Sequence, residues 1–207
     1  CVSSALATAL TVIAAIATVV AIVFFARTLA GMVRIYRGGQ PTRRSDNPGQ
    51  RTATLLRETL LASRLKQQPV GAIVATAHWI VLVAFFVLFL TLVTAYGQLL
   101  NPDFVIPVLG HFPPFEWLVE GLAWLMVLSI VFLIALRVSN RPDSEGRNSR
   151  FFGSTMWQAY YVEITILLVG ICVIALRAME YALGSSQGAS WASAVHFPFT
   201  AWIGSGL

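Results

Sequence analysis

Two ionisable side chains lie inside long apolar stretches of this sequence, where each needs a partner. His78 belongs to a run from residue 71 to residue 100 that contains no Asp, Glu, Lys or Arg. Glu163 belongs to a second apolar run, over residues 156–183. A buried imidazole or carboxylate must be hydrogen-bonded, ligated or solvated. Because imidazole ligates haem iron and both groups exchange protons, His78 and Glu163 are the first candidates for chemistry.

The sequence predicts that His78 and Glu163 lie at a similar depth in one leaflet and face the same cavity. His78 follows Pro69 by roughly 12–14 Å of helix. Two interpretations are open: His78 is hydrogen-bonded to Glu163, or it is an axial ligand of a haem b, with Glu163 orienting its ring or facing a quinone. The other apolar runs hold no histidine, so a second ligand would come from a later helix or another chain.

A second polar group lies at the opposite ends of these runs. His111 and His196 stand in the segments HFPPFEW and HFPFTAW, where either could line a quinone pocket or be an interfacial residue. Glu116 and Glu120 are one helical turn apart, and Arg177 lies towards the end of the last apolar run. Pairing of Arg177 with Glu120 would relieve two costly charges, and we favour that structural interpretation.

The composition indicates which elements position these residues. The chain is 57% hydrophobic and 11% charged, against roughly 25% charged residues in soluble domains. Unbroken apolar runs favour helices over barrel strands, so we predict an all-α, polytopic transmembrane helical bundle with its N-terminus outside. Its single membrane domain, residues 1–207, has predicted spans at about residues 5–34, 71–99, 117–136 and 156–183. The tail, residues 191–207, could be an interfacial segment or the start of a fifth span.

The segments between the spans carry the basic residues. Residues 51–66 repeat leucine at i,i+4 beside Arg and Lys, which predicts an amphipathic helix on the cytoplasmic membrane surface; a solvated connector is the alternative. Residues 101–115 contain four prolines and are predicted to form an outer loop. Because the basic residues lie between spans, the net charge of +5 does not indicate binding to nucleic acid.

Counting Lys and Arg predicts the orientation. Residues 27–66 carry nine basic and two acidic side chains, and residues 137–150 carry four and two. Residues 101–115 and 184–207 carry no Lys or Arg. The positive-inside rule therefore places both basic loops in the cytoplasm of a multi-pass protein of the plasma (inner) membrane.

Two phrases together resemble a known family. They are TLLASRLKQQPVGAIVATAHW, over residues 59–79, and RFFGSTMWQAYYVEITIL, over residues 150–167. The chain from about residue 38 to the tail is similar to the N-terminal membrane domain of actinobacterial iron–sulfur-binding reductases. These proteins join a cytochrome b domain, of the nitrate-reductase-gamma and heterodisulfide-reductase type, to a cytosolic iron–sulfur domain.

The resemblance implies a function and a set of partners. His78 would be a haem b ligand, and electrons would pass from electron-transfer flavoprotein through the cytosolic iron–sulfur domain to menaquinone. Cys1 and Cys172 are too few for a cluster, so iron–sulfur centres would lie outside this chain. We expect the chain to be part of a longer protein and inactive alone. The alternative is a non-redox anchoring or assembly subunit, in contact with other subunits of a respiratory complex.

Overall fold

The computed structural model describes residues 4–39, 46–63, 65–67, 70–101 and 104–207. Over these residues the chain is helical and contains no strand. The helices in chain order are α1 (Ser4–Arg37), α2 (Pro48–Leu60), α3 (Gly71–Leu100), α4 (Pro113–Ser139), α5 (Pro142–Glu145), α6 (Met156–Ser186) and α7 (Ala201–Gly204). Of these, α1, α3, α4 and α6 are long and apolar enough to cross a membrane. The predicted all-α bundle with four spans is confirmed.

Helix α4 is the centre of the bundle, because it packs against α3 on one side and α6 on the other. Buried side chains join the first turns of α3 to the last turns of α4, namely Val74, Ala77, Ile130 and Leu133. A second set joins α3, α4 and α6 farther along, namely Ala84, Leu88, Val119, Ala123, Met126 and Ile174. Neighbouring helices therefore run antiparallel. The starts of α3 and α6 meet the end of α4 at one end of the bundle, which we call the His78 end.

Helix α1 stands apart from this three-helix core. None of its residues from Ala5–Arg37 is buried, although this helix is apolar enough to cross a membrane. A hydrogen bond of 2.5 Å between the hydroxyls of Thr18 and Tyr96 joins it to α3. The apolar surface of α1 thus faces outward, where lipid or other protein would cover it.

Helix α4 begins earlier than the sequence predicted. The prolines of the expected outer loop, Pro113 and Pro114, occupy its first turn, where the missing N–H and the fixed φ of proline are tolerated. Glu116 therefore lies in the first helical turn. The other long helices cover their predicted spans and extend a few residues beyond them.

The predicted amphipathic helix over residues 51–66 is also shifted. Helix α2 begins at Pro48 and ends at Leu60, and Ala62 then adopts a left-handed backbone with φ 47°. A short 3-10 helix, Leu65–Gln67, follows and packs on the start of α3. A Cβ on Gly71 would lie 2.1 Å from the Leu65 carbonyl oxygen, so this close approach requires glycine.

The tail folds back onto the end of the bundle opposite His78, which we call the Arg177 end. Residues 191–200 form turns, and α7 follows as a single short helix. Phe197 and Thr200 are fully buried there. A Cβ on Gly204 would lie 2.4 Å from the Ala178 carbonyl oxygen of α6. The described tail residues thus form a packed cap over α4 and α6, and no long helix.

Candidate functional site

A cavity of about 240 Å³ at the His78 end brings three spans together. Its polar lining consists of His78 from α3, Arg137 from α4, Glu163 from α6, and Arg150 from the segment before α6. The remaining walls are apolar and comprise Leu65, Val74, Leu133, Leu136 and Phe151. The prediction that His78 and Glu163 face one cavity is confirmed.

The partner of Glu163 is Arg137. The Arg137 Nε–H donates to Glu163 Oε1 at 2.8 Å, and the terminal NH2 nitrogen lies 2.8 Å from the same oxygen. The guanidinium carbon also lies 4.5 Å from the centre of the Phe151 ring. Both charged side chains are largely buried, with 18% and 10% of their side-chain surface exposed. Glu163 is thus neutralised within the protein by a charge-assisted pair.

The second oxygen of Glu163 is left without a partner. Oε2 is buried and accepts no hydrogen bond from any described group. A buried acceptor in that state costs on the order of 1–3 kcal/mol, and more when it is charged. Glu163 lines the cavity with other atoms, and Oε2 itself is enclosed by the protein.

His78 lies at the rim of the cavity rather than in its centre. Its side chain is exposed, and its imidazole makes no hydrogen bond to another described residue. The first interpretation, a hydrogen bond between His78 and Glu163, is therefore wrong, because Arg137 occupies the accessible side of the carboxylate. The indole N–H of Trp79, the next residue, donates to the Leu60 carbonyl oxygen and ties α2 to α3.

The cavity does not fit a haem. A cavity of about 150 Å³ holds one benzene ring, so the 240 Å³ found here admits one or two fused rings but no tetrapyrrole. At this depth the described parts of α1, α4 and α6 supply no second histidine. The described residues thus offer one exposed imidazole and no enclosure. A haem on His78 would have to lie outside this cavity, against other protein, and its ligation by His78 stays a prediction.

Sequence reasoning missed Arg137 as the partner of Glu163. It lies at the end of the third apolar run, among the basic residues that the sequence predicts to be cytoplasmic. Its position at the end of that run was the available signal, because antiparallel neighbours place the end of one span beside the start of the next. Which face of α4 carries Arg137 could not be read from the sequence.

The Arg177 end holds a denser polar network, which we call the Arg177 cluster: Glu116, Glu120, Arg177, Glu180 and His196. Arg177 Nε donates to Glu120 Oε1 at 3.1 Å, and NH1 donates to Glu180 Oε2 at 2.8 Å. NH2 lies 3.6 Å from Glu116 Oε1. Glu116 and Glu120 are both buried. The predicted pairing of Arg177 with Glu120 is confirmed, and it is part of a larger network.

The tail supplies further donors and an aromatic ring to this cluster. Glu120 accepts hydrogen bonds from the Thr200 hydroxyl at 2.8 Å and from the Phe199 backbone N–H at 2.9 Å. Arg177 NH2 donates to the His196 carbonyl oxygen at 2.8 Å, and its guanidinium lies 4.1 Å from the Phe197 ring centre. These contacts satisfy a fully buried carboxylate and hold the tail in place.

The structure brings His111 and His196 to the same carboxylate. His196 Nδ1 lies 2.6 Å from Glu116 Oε2, and His111 Nδ1 lies 3.9 Å from Glu116 Oε1. The two rings are 6.5 Å apart, and His111 stacks on Trp191 at 4.9 Å. Within the described ranges, no group of three or more His, Cys, Asp and Glu has a geometry suited to a metal ion. A quinone pocket at these histidines stays a prediction.

Comparison with protein-family models, with curated proteins and with solved structures found no match to this chain. The fold and the two polar sites therefore define the class: a helical membrane protein with a partly open polar cavity at one end of its core and a buried charge cluster at the other.

Proposed function

We propose that this protein is the membrane part of a respiratory oxidoreductase that passes electrons to menaquinone. The electrons would come from a cytosolic iron–sulfur domain and ultimately from electron-transfer flavoprotein. The proposal rests on the resemblance to the actinobacterial iron–sulfur-binding reductases and on the chemistry of the His78 cavity. A cavity between spans that combines apolar walls with protonatable groups suits a lipid-soluble carrier that takes up protons with electrons.

One observation carries the proposal. The two phrases that resemble the reductase family, residues 59–79 and residues 150–167, are far apart in the sequence but meet in the His78 cavity. The first contributes Leu65, Val74 and His78, and the second contributes Arg150, Phe151 and Glu163. Helix α4 supplies the remaining wall. Both phrases on which the resemblance rests would then contribute to one site.

The function is tested with the complete protein, purified together with its iron–sulfur domain. Reduced electron-transfer flavoprotein is expected to drive reduction of a short-chain menaquinone, and a reduced-minus-oxidised optical spectrum reports any haem b. A matched reaction without the flavoprotein is the control. Absence of menaquinone reduction in an intact, cofactor-loaded preparation would contradict the proposal.

Charge asymmetry supports a cytoplasmic position for the His78 end, next to the proposed electron donor. In a parent protein with Cys1 and Cys172 replaced by alanine, we expect a cysteine at Ser144 to resist a membrane-impermeant thiol reagent in intact cells. A cysteine at Ser186, at the other end of α6, should react. Ser45, a further position in the first basic loop, lies outside the described residues. Both cysteines should react in lysed cells, and labelling of Ser144 in intact cells would reverse the topology.

The alternative, a non-redox anchoring or assembly subunit, is favoured by a different observation. Most of the apolar surface of α1 is left uncovered by the other described helices. Such a helix could bind the spans of neighbouring subunits without any redox chemistry. Deletion of α1 from the complete protein tests this alternative. If the variant still reduces menaquinone but no longer assembles into a larger complex, α1 is the anchor and the core carries electron transfer.

A further inference from the structure

We infer that the His78 cavity binds the headgroup of an anionic phospholipid, with the lipid phosphate held by Arg150 and by the NH1 group of Arg137. The inference goes beyond the proposed function and does not depend on it. It rests on the charges that line the cavity, on the partners of those charges, and on the end of the bundle at which they lie. The lipid would occupy the cavity when menaquinone is absent.

The charge balance of the cavity selects an anion. Its charged lining consists of two arginines, Arg137 and Arg150, and one carboxylate, Glu163. With the His78 imidazole neutral, one positive charge is in excess. The carboxylate is also shielded from the cavity, because Oε1 is paired with Arg137 and Oε2 is enclosed by the protein. An anion that enters the cavity therefore meets arginine before it meets the carboxylate.

Arg150 supplies the positive charge that no described residue compensates. Its guanidinium forms no hydrogen bond or ion pair with the residues that the structure describes. Arg137 directs Nε and NH2 at Glu163, which leaves its NH1 group as a further donor. The guanidinium carbons of Arg137 and Arg150 lie 4.5 Å and 6.0 Å from the centre of the same ring, that of Phe151. Both arginines thus offer N–H donors at one wall, and guanidinium groups bind phosphate oxygens through charge-assisted hydrogen bonds.

The arginines lie where a span leaves the membrane. Arg137 is in the last turn of α4, and Arg150 belongs to the segment between α4 and α6. Trp79 is exposed at the same end, and its indole N–H donates to the Leu60 carbonyl oxygen. Exposed tryptophan is enriched at the level of the lipid headgroups. Leu133, one turn of α4 farther into the bundle, offers an apolar wall to the glycerol and first acyl carbons of a lipid.

The predicted orientation identifies the kind of lipid. Charge asymmetry places the His78 end at the cytoplasmic leaflet, which carries anionic lipids, and basic pockets between spans on that side bind anionic headgroups. A zwitterionic headgroup brings its own cation, which the excess positive charge of the cavity disfavours. Inorganic phosphate offers the same oxygens but gains nothing from the apolar walls. Phosphatidylglycerol is therefore the lipid with which to test the cavity.

Replacing Arg150 with methionine tests the inference, because it removes an exposed charge and leaves the pair of Arg137 and Glu163 intact. The complete protein, in detergent and without added quinone, is titrated with phosphatidylglycerol and with phosphatidylcholine of the same acyl chains. Native mass spectrometry measures the dissociation constant of the first lipid bound. We expect the wild-type protein to bind phosphatidylglycerol about tenfold more tightly, since a hydrogen bond to a charged group has that magnitude. In Arg150→Met this preference should be lost.

Arg147→Met is the matched control, because it removes an exposed arginine of the same segment that does not line the cavity. It should retain the preference for phosphatidylglycerol. An equal loss in Arg147→Met and Arg150→Met would show that the basic segment attracts lipid without a site, and an unchanged preference in folded Arg150→Met would exclude Arg150 as a ligand. Either result would overturn the inference. Should Arg150→Met fail to fold, Leu136→Phe keeps the inference testable: it narrows the cavity while retaining both arginines, and undiminished binding of phosphatidylglycerol in that variant would contradict a site in the cavity.

Inorganic phosphate distinguishes the two sources of a phosphate group. Added to the wild-type protein at the same concentration as the lipid, it should leave phosphatidylglycerol bound. Displacement of the lipid under these conditions would identify a site for a free anion and overturn the inference. The titration contains neither menaquinone nor electron-transfer flavoprotein, so its result is separate from the test of the proposed function.

Discussion

Replacing Arg177 with methionine is expected to lower the free energy of unfolding by about 3–5 kcal/mol, the usual cost of leaving a buried charge unpaired. Arg177 faces three carboxylates, and two of them, Glu116 and Glu120, are buried. Methionine keeps much of the side-chain volume, so the loss would come from charge rather than from a cavity. Reversible unfolding in mixed micelles, followed by tryptophan fluorescence, measures the change.

The control is Arg147→Met, because Arg147 is an exposed arginine in the segment between α5 and α6. Exposed substitutions of this kind usually change stability by no more than about 0.5 kcal/mol. Adding Glu120→Gln to Arg177→Met should recover part of the loss, since it removes the most deeply buried of the unpaired charges. A loss below about 1 kcal/mol in Arg177→Met would show that the carboxylates do not depend on the arginine for neutralisation.

Replacing His78 with alanine is expected to abolish menaquinone reduction by the complete protein. His78 is the one histidine among the described residues of the four long helices, and it lies at the rim of the cavity that we propose as the menaquinone site. If His78 is also a haem b ligand, as the resemblance implies, the low-spin absorption bands should disappear in the same variant. Reduced-minus-oxidised spectra and steady-state menaquinone reduction are the two measurements.

His111→Ala is the control for the spectrum, because His111 is exposed at the opposite end of the bundle and should leave the absorption bands unchanged. If the complete protein contains no haem and its His78→Ala variant loses menaquinone reduction, His78 acts at the menaquinone site alone. Retention of both the spectrum and the activity in His78→Ala would make His78 a structural residue and contradict both roles.

The sequence by itself determined the class of fold and the end of the helix bundle at which each polar site lies. Whether a segment crosses a membrane depends on the length and apolarity of one continuous run, which is a local property. Once four runs are placed, alternation of direction sets the depth of each residue. His78 and Glu163 were therefore expected to share a cavity, and Arg177 was expected to meet Glu120, before any contact was known.

The tertiary structure alone decided which side chains contact one another at each end of the helix bundle. The long helices are apolar on all sides, so hydropathy does not show which face is turned to lipid and which to the core. For this reason the sequence did not show that Arg137, rather than His78, pairs with Glu163. The tail likewise folds over Glu120 through backbone and hydroxyl donors, Phe199 N–H and Thr200, that no motif marks. Rotation of each helix about its axis and the path of a turn depend on packing between distant residues, which a single sequence does not display.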